Sequence, residues 1–275
     1  MANAVAKKES GSNGGGIITG AIIVACIFVG WIIWKFIMGS GGNFEGGDNT
    51  GEPLPGNYLA MVYKGGPIVP ILLGCLLMVV VFSIERYFVI SKAGGTGNLD
   101  AFMKNVQTNV KTGNIDGAIA DCDKQKGSVA NAIKSALLKY QEVKKEGFNS
   151  EDAAETIQKE IEEATSLEMP MLEKHMTIIS TMVSLGTLAG LLGTVTGMIK
   201  AFGALASSGT PDQAALASGI SEALINTATG IATSALAIIM YNFFTSKIDS
   251  LTYSIDEAGS TIVNTYRRFR GSLKN

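Results

Sequence analysis

Leu185-Gly-Thr-Leu-Ala-Gly-Leu-Leu-Gly-Thr-Val-Thr-Gly-Met-Ile-Lys-Ala-Phe202 is apolar enough to cross a membrane, yet Gly186, Gly190, Gly193 and Gly197 interrupt it, as do Thr187, Thr194 and Thr196. A helix that only had to contact lipid would be Leu, Ile and Val on every face. Small residues three and four apart share one side of a helix and let a neighbouring backbone approach closely. Hydroxyls at membrane depth bond across a helix interface or wet a narrow path. The stretch is therefore read as a packed face of a membrane helix.

The rest of the chain fits that reading. Of 275 residues, 47% are hydrophobic and 17% charged, and the mean hydropathy is +0.27. Such a balance belongs to membrane proteins. Besides Thr177–Ile199, apolar runs lie at Ile17–Trp34, Gly65–Ile84 and Ala223–Ser246, each close to or above the roughly 20 residues that a spanning helix needs. Trp31, Trp34 and Lys35 close the first run as interface anchors, and Glu85-Arg86-Tyr87 closes the second. Pro67 and Pro70 sit where the second helix starts, and a first turn tolerates proline because its amide has no helical partner. The expected fold class is all-α: a polytopic membrane protein with four transmembrane helices and long helices extending into a cytoplasmic helical domain. A secretory signal peptide is the rival reading of the first run, weakened by its length and by the lack of a clear small-x-small cleavage site.

Charge placement gives the orientation. Lysine is dense across residues 91–170, and the tail carries Lys247, Arg267, Arg268, Arg270 and Lys274. The 39–66 segment offers only Lys64, and the 203–218 connection has neither lysine nor arginine. Basic residues stay on the cytoplasmic side, so both termini and the 91–170 region are expected there.

Between the second and third spans the pattern is helical. Leu99, Phe102 and Val106, then Ile115, Ala118 and Ile119, then Ile133, Ala136, Leu137 and Tyr140 recur at helix spacing, punctuated by Gly113, Gly127 and Gly147. Asn149 or Ser150 is the expected N-cap of a further helix, with Glu151 and Asp152 set against its dipole. Pro170 is expected to mark a break or kink in it, and the charges from Gln158 to Glu168 a solvated face. After the fourth span, Ile248, Leu251, Ile255, Ala258, Ile262, Thr265 and Phe269 continue one stripe, which predicts a single helix running on from the membrane. His175, the only histidine, is expected to face water or headgroups.

Some functions are disfavoured. A net charge of -2 gives no basic excess for nucleic acid. Cys26, Cys75 and Cys122 show no CxxC or Cys/His spacing, so neither a disulfide framework nor a metal site is expected. Nothing resembles a nucleophile, phosphate-binding or cofactor constellation, and the chain is not expected to be an enzyme.

Gly190-Leu-Leu-Gly-Thr-Val-Thr-Gly-Met-Ile-Lys-Ala-Phe202 resembles the signature of the MotA/TolQ/ExbB proton-channel family, nearest its ExbB and TolQ branch. Leu216-Ala-Ser-Gly-Ile-Ser-Glu-Ala-Leu-Ile-Asn-Thr-Ala-Thr-Gly230 and Ala237-Ile-Ile-Met-Tyr-Asn242 resemble its second half. Glu85-Arg86, Gly113 with Ala118 and Cys122, and Leu172-Glu-Lys174 add to the likeness, which covers residues 65–260. The family often has a proline just before the first block, where this chain has Gly186-Thr-Leu-Ala189, and the 17–38 span is additional to the three-helix ExbB plan.

The organisation implied is a disordered start (1–16), an additional transmembrane helix (17–38), a periplasmic linker (39–64) and a family-like domain (65–275). That domain would hold spans at 65–90, 175–204 and 219–246, cytoplasmic helices over 91–172 and a tail helix at 247–270. The resemblance implies a homo-oligomeric ring, usually a pentamer, in the lipid bilayer of a bacterial inner membrane. The ring would enclose ExbD-like helices that supply a membrane aspartate, and proton flow would drive a TonB-like protein that works on outer-membrane transporters. Residue by residue, the pore-lining threonines map onto Thr194 and Thr227, and the acid at the outer end of the last span onto Glu222. Gly186, Gly190, Gly193, Gly197 and Gly230 are assigned to helix packing, with the glycines of the third span setting how closely ring neighbours approach.

The chemistry adds a constraint. No Asp, Glu, Lys, Arg or His lies between Thr177 and Ile199 or between Ala223 and Ser246, and Lys200 and Glu222 stand near the ends. Threonine can hold water or hydrogen-bond a carboxylate, but it cannot store a proton. An acid that carries protons past these helices must come from another chain. A flagellar or gliding stator, a TolQ-like subunit and a non-conducting scaffold are the alternatives.

Overall fold

The computed structural model describes residues 12–146, 148–207 and 213–272. Helix α1 begins at Ser12 and runs to Ile32, so residues 12–16 are helical rather than disordered, while 1–11 lie outside the described residues, as do Gly147 and the side chain of Phe269. There follow α2 (Tyr58–Tyr63), α3 (Val69–Ala93), α4 (Leu99–Lys111), α5 (Ile115–Gln125), α6 (Gly127–Glu146), α7 (Ser150–Glu173), α8 (Met176–Ser207) and α9 (Gln213–Ser272). Among the described residues, four stretches are long and apolar enough to cross a membrane: Gly16–Met38, Gly66–Ala93, Met176–Ala206 and a portion of Gln213–Arg268. The protein is an all-α, multi-pass membrane protein.

Two compact units divide the chain, one holding residues 1–83 and 178–241, the other 84–177 and 242–275.

In the first unit α1 crosses α3 where both carry glycine. A Cβ on Gly30 would lie 2.8 Å from the Gly74 amide nitrogen and 2.8 Å from the Pro70 carbonyl oxygen, and one on Gly74 would lie 2.9 Å from the Ile27 Cα. Only a residue without a side chain permits backbones this close. Segment 39–64 is more than a linker. Trp34 stacks on Tyr63 with ring centroids 4.8 Å apart, and Phe44 meets the same ring edge-on at 5.5 Å. The Trp34 indole N–H donates to the Tyr63 carbonyl at 3.3 Å, Asn49 donates to the Tyr63 hydroxyl at 3.0 Å, and the Asn43 amide donates to the Ile37 and Met38 carbonyls. Asn57 caps α2 by accepting from the Leu59 and Ala60 amides. Gly46, Gly47 and Gly56 take positive φ, which lets the segment turn back on itself.

In the second unit the helical stripes face inward. Phe102, Val106, Val110, Ala118, Cys122, Ile133, Leu137 and Tyr140 are buried with Ile157 and Ile161 of α7. Ile248, Leu251, Ile255, Ala258 and Ile262 of α9 are also buried, so the stripe read after the fourth span is a packing face. Tyr140 meets Tyr266 edge-on at 4.9 Å, and Gly259 lets Ile161 approach to 2.9 Å of where a Cβ would stand. Asn98 and Asn114 cap α4 and α5, Asn149 caps α7, and Gly113 and Gly127 turn the chain with φ of 78° and 87°. Helix α7 continues through Pro170 and ends only at Lys174 and His175, whose φ is 66°. The expected break therefore lies five residues further on (175 − 170).

His175 does not face water. Its side chain is 11% exposed and its Nδ1 stands 3.1 Å from Glu85 Oε2. Arg86, only 1% exposed, donates to the Met171 and Leu172 carbonyls at 3.0 and 3.3 Å and forms a two-pronged pair with Glu85. The guanidinium thus caps the last turn of α7, where helix carbonyls lack intrahelical partners and a cation suits the dipole.

Candidate functional site

The glycines of α8 face α9 of the same chain. A Cβ on Gly186 would lie 2.6 Å from Ser234 Oγ and 3.1 Å from the Gly230 carbonyl oxygen. One on Gly190 would lie 3.0 Å from the Asn226 carbonyl oxygen and 3.1 Å from the Gly230 Cα, and one on Gly197 would lie 2.9 Å from the Gly219 carbonyl oxygen. The Cβ position on Gly193 is taken up by the Asn226 side chain. From the other helix, a Cβ on Gly230 would lie 2.5 Å from the Gly186 carbonyl oxygen and 2.9 Å from the Gly190 Cα. The seam thus runs within this chain, between the third and fourth spans. Substituting Gly190, Gly197 or Gly230 forces backbone apart from backbone, whereas a side chain at Gly193 would meet that of Asn226.

That closeness brings two hydroxyls together. Thr194 Oγ1 and Thr227 Oγ1 are hydrogen-bonded to each other across the seam, and Thr194 also donates to the Gly190 carbonyl at 3.2 Å. Both threonines are half-buried. Among the described residues, Thr187 and Thr196 bond only within their own helix, to the Ser184 carbonyl at 2.9 Å and the Gly193 carbonyl at 3.1 Å. Of the three threonines in the opening stretch, Thr194 is the one that reaches the neighbouring span. Two hydroxyls in contact can each donate and accept, so the pair can pass a hydrogen bond on without carrying net charge.

At the end of the seam, Glu222 Oε1 accepts from Lys200 Nζ at 2.6 Å. The Glu222 side chain also fills the space that a Cβ on Gly66 would need, and Gly66 takes a φ of +78°. One turn along α9, Asn226 donates from Nδ2 to the Gly65 carbonyl at 2.8 Å, while its Oδ1 is buried with no hydrogen-bond partner among the described residues. The backbone of Gly65 and Gly66 is thus pressed onto two side chains of the fourth span. Asn226 was missed in the sequence, although an amide inside a charge-free apolar run is a signal that could have found it. The Lys200–Glu222 pairing was missed because 22 residues separate the two (222 − 200).

A polytopic helical membrane protein, with a hydroxyl pair held between two charge-free spans and an ion pair at their end, is the class that this geometry defines. The chain matches the MotA/TolQ/ExbB proton channel family over residues 124–257. It is 30% identical over 146 residues to an ExbB-like biopolymer transport protein of Synechocystis sp., covering 52% of this chain and 70% of that one. Over 182 residues it is 25% identical to the Tol-Pal system protein TolQ of Pseudomonas aeruginosa, covering 64% of this chain and 79% of that one. Over 86 residues it is 31% identical to the biopolymer transport protein ExbB of Pseudomonas putida, covering 31% and 26%. The chain belongs to the MotA/TolQ/ExbB proton channel family.

Proposed function

We propose that the chain is an ExbB-like subunit, several copies of which, five in the family's usual arrangement, form a ring around ExbD-like helices in a bacterial inner membrane. Proton flow through this ring energises a TonB-like protein and so drives TonB-dependent outer-membrane transport. The observation that carries the reading is the Thr194–Thr227 pair between spans free of charged residues. A wall of this kind can guide a proton but not store one, so the ionisable carrier is an aspartate of the partner. The glycine seam supports the reading by holding the two hydroxyls at contact distance, and Glu222 stands at the periplasmic end. Both termini and residues 91–170 are assigned to the cytoplasm, with 17–38 an additional span and 65–275 the family domain. The match to TolQ over 64% of this chain keeps a Tol-Pal role as the second reading.

Energy-dependent uptake through an outer-membrane transporter tests the proposal in cells that carry this chain as their only copy. Thr194→Val and Thr227→Val should assemble and lose uptake. Full uptake by both variants would refute the path. Uptake that depends on the chain but needs no TonB-like protein would favour the TolQ reading.

A further inference from the structure

Within the second unit a cavity of about 250 Å³ opens at the far end of α3. Its walls include Val89 and Lys92 of α3, Ser128 and Asn131 of α6, and Glu168 and Met171 of α7. Gly127 sets α6 in place here: its φ is +87°, and a Cβ on it would lie 2.6 Å from the Ala93 carbonyl oxygen. The helix thus starts against the end of the span. The amides of its first turn have no intrahelical acceptor and make that side of the cavity electropositive. Ser128 gives a second signal. It is 2% exposed and its hydroxyl has no hydrogen-bond partner among the described residues, although buried polar groups are normally paired. The charges give a third. Lys92 and Glu168 both line the cavity, yet among the described residues neither stands in an ion pair. Glu168 Oε1 accepts from the Asn131 amide at 3.2 Å, which seats the carboxylate against α6. A cation and an anion that share one cavity without meeting suit a ligand that carries both signs.

We propose that this cavity binds the headgroup of a zwitterionic phospholipid of the phosphatidylethanolamine class. The phosphate meets Lys92, the Ser128 hydroxyl at the cavity floor and the first amides of α6, and the primary ammonium donates to Glu168. Val89 and the half-exposed Met171 meet the glycerol and the first methylenes of the chains. Position favours a lipid over a soluble compound. The apolar part of α3 ends at Glu85-Arg86, so Val89 and Lys92, within two turns of it, stand at headgroup depth. Charge favours ethanolamine. A phospholipid without an amine leaves Glu168 unmatched, and a quaternary ammonium has no proton to donate to it. The inference goes beyond the proton path and does not depend on it.

The test offers the full chain in detergent equal amounts of phosphatidylethanolamine, phosphatidylcholine and phosphatidylglycerol with the same acyl chains. Native mass spectrometry then reads which lipid it retains. The native chain should prefer phosphatidylethanolamine about tenfold over each of the others. Glu168→Gln, whose amide oxygen still accepts from Asn131, should lose the preference over phosphatidylcholine. Lys92→Met, which keeps the apolar stem, should retain about tenfold less phosphatidylethanolamine. Lipid held loosely around the spans responds to neither substitution, so the change reads the cavity. Equal retention of phosphatidylcholine and phosphatidylethanolamine by the native chain would overturn the assignment. So would a preference that survives in both variants. Soluble O-phosphoethanolamine carries the same charges without chains and should be retained at least about tenfold less than the lipid. Retention at the lipid's level would overturn the choice of a lipid.

Discussion

Replacing Arg86 by Met should loosen the joint between α7 and α8 without unfolding the helices around it. The guanidinium donates to the carbonyls of Met171 and Leu172 at 3.0 and 3.3 Å from a site where Arg86 is 1% exposed. Hydrogen bonds that involve a charged group contribute about 1.5–3 kcal/mol each, and the lower figure suits two carbonyls that share one nitrogen. Their loss therefore costs about 3 kcal/mol. Glu85 adds less than the full cost of a stranded charge, because it is 38% exposed, keeps its contact with His175 and can hydrate. At 1.4 kcal/mol per factor of ten, local opening at the end of α7 should become about a hundredfold more frequent. Hydrogen–deuterium exchange in nanodiscs reads this directly: amides from Leu172 to Met176 should lose about two decades of protection while those of α4 are unchanged. Arg86→Lys keeps the charge but not the fork, and should fall between the two. Native-like protection at 172–176 in Arg86→Met would refute the capping argument.

Three further outcomes follow from the packing. Gly30→Ala should lower the melting temperature in detergent through overpacking of about 1–3 kcal/mol, since its Cβ would meet the backbone of Gly74 and Pro70; Gly20→Ala, with nothing within 4 Å, should not, and equal temperatures would contradict the crossing. Gly66→Ala should destabilise by about 1–3 kcal/mol, because the residue has φ of +78° and Glu222 fills its Cβ position; an unchanged melting temperature would count against that contact. Burial, with Asp121 and Asp123 nearby, pushes the Cys122 thiol up to about 12, and its side chain belongs to a residue 2% exposed. Its thiolate form is therefore scarce below that pH. Maleimide at pH close to 8 should spare Cys122 in the native chain and modify it after denaturation, and rapid native labelling would show an open core.

What the sequence disclosed was what repeats. Apolar runs gave the spans, and the stripe from Ile248 to Ile262 gave the length of α9, because burial on one side of a helix returns every three or four residues. The small residues of α8 gave a seam, but not its partner, since a row of glycines does not say which helix lies against it. Features built from single long-range meetings were not legible. Trp34 finds Tyr63 and Lys200 finds Glu222 without any pattern in between, and the aromatic cluster turned a glycine-rich linker into folded structure. Pro170 was a reasonable place to expect a break, yet the break falls where His175 adopts a left-handed backbone beside Glu85. In the candidate site the threonines were found through the likeness of their surrounding blocks. Asn226 bonds to Gly65, a residue 161 positions away, and needed the fold to be seen.

The central claim is that Thr194 and Thr227 together carry a proton path which this chain walls but does not itself charge. Proton uptake by liposomes that hold the chain with its acid-bearing partner, under an imposed potential, tests it most directly. The native complex should take up protons. The Thr194→Val/Thr227→Val complex should assemble to the same size and take up protons at least about tenfold more slowly, as expected when a hydrogen bond contributing about 1.5 kcal/mol to the path is lost. Native-rate uptake by the doubly substituted complex would contradict the account.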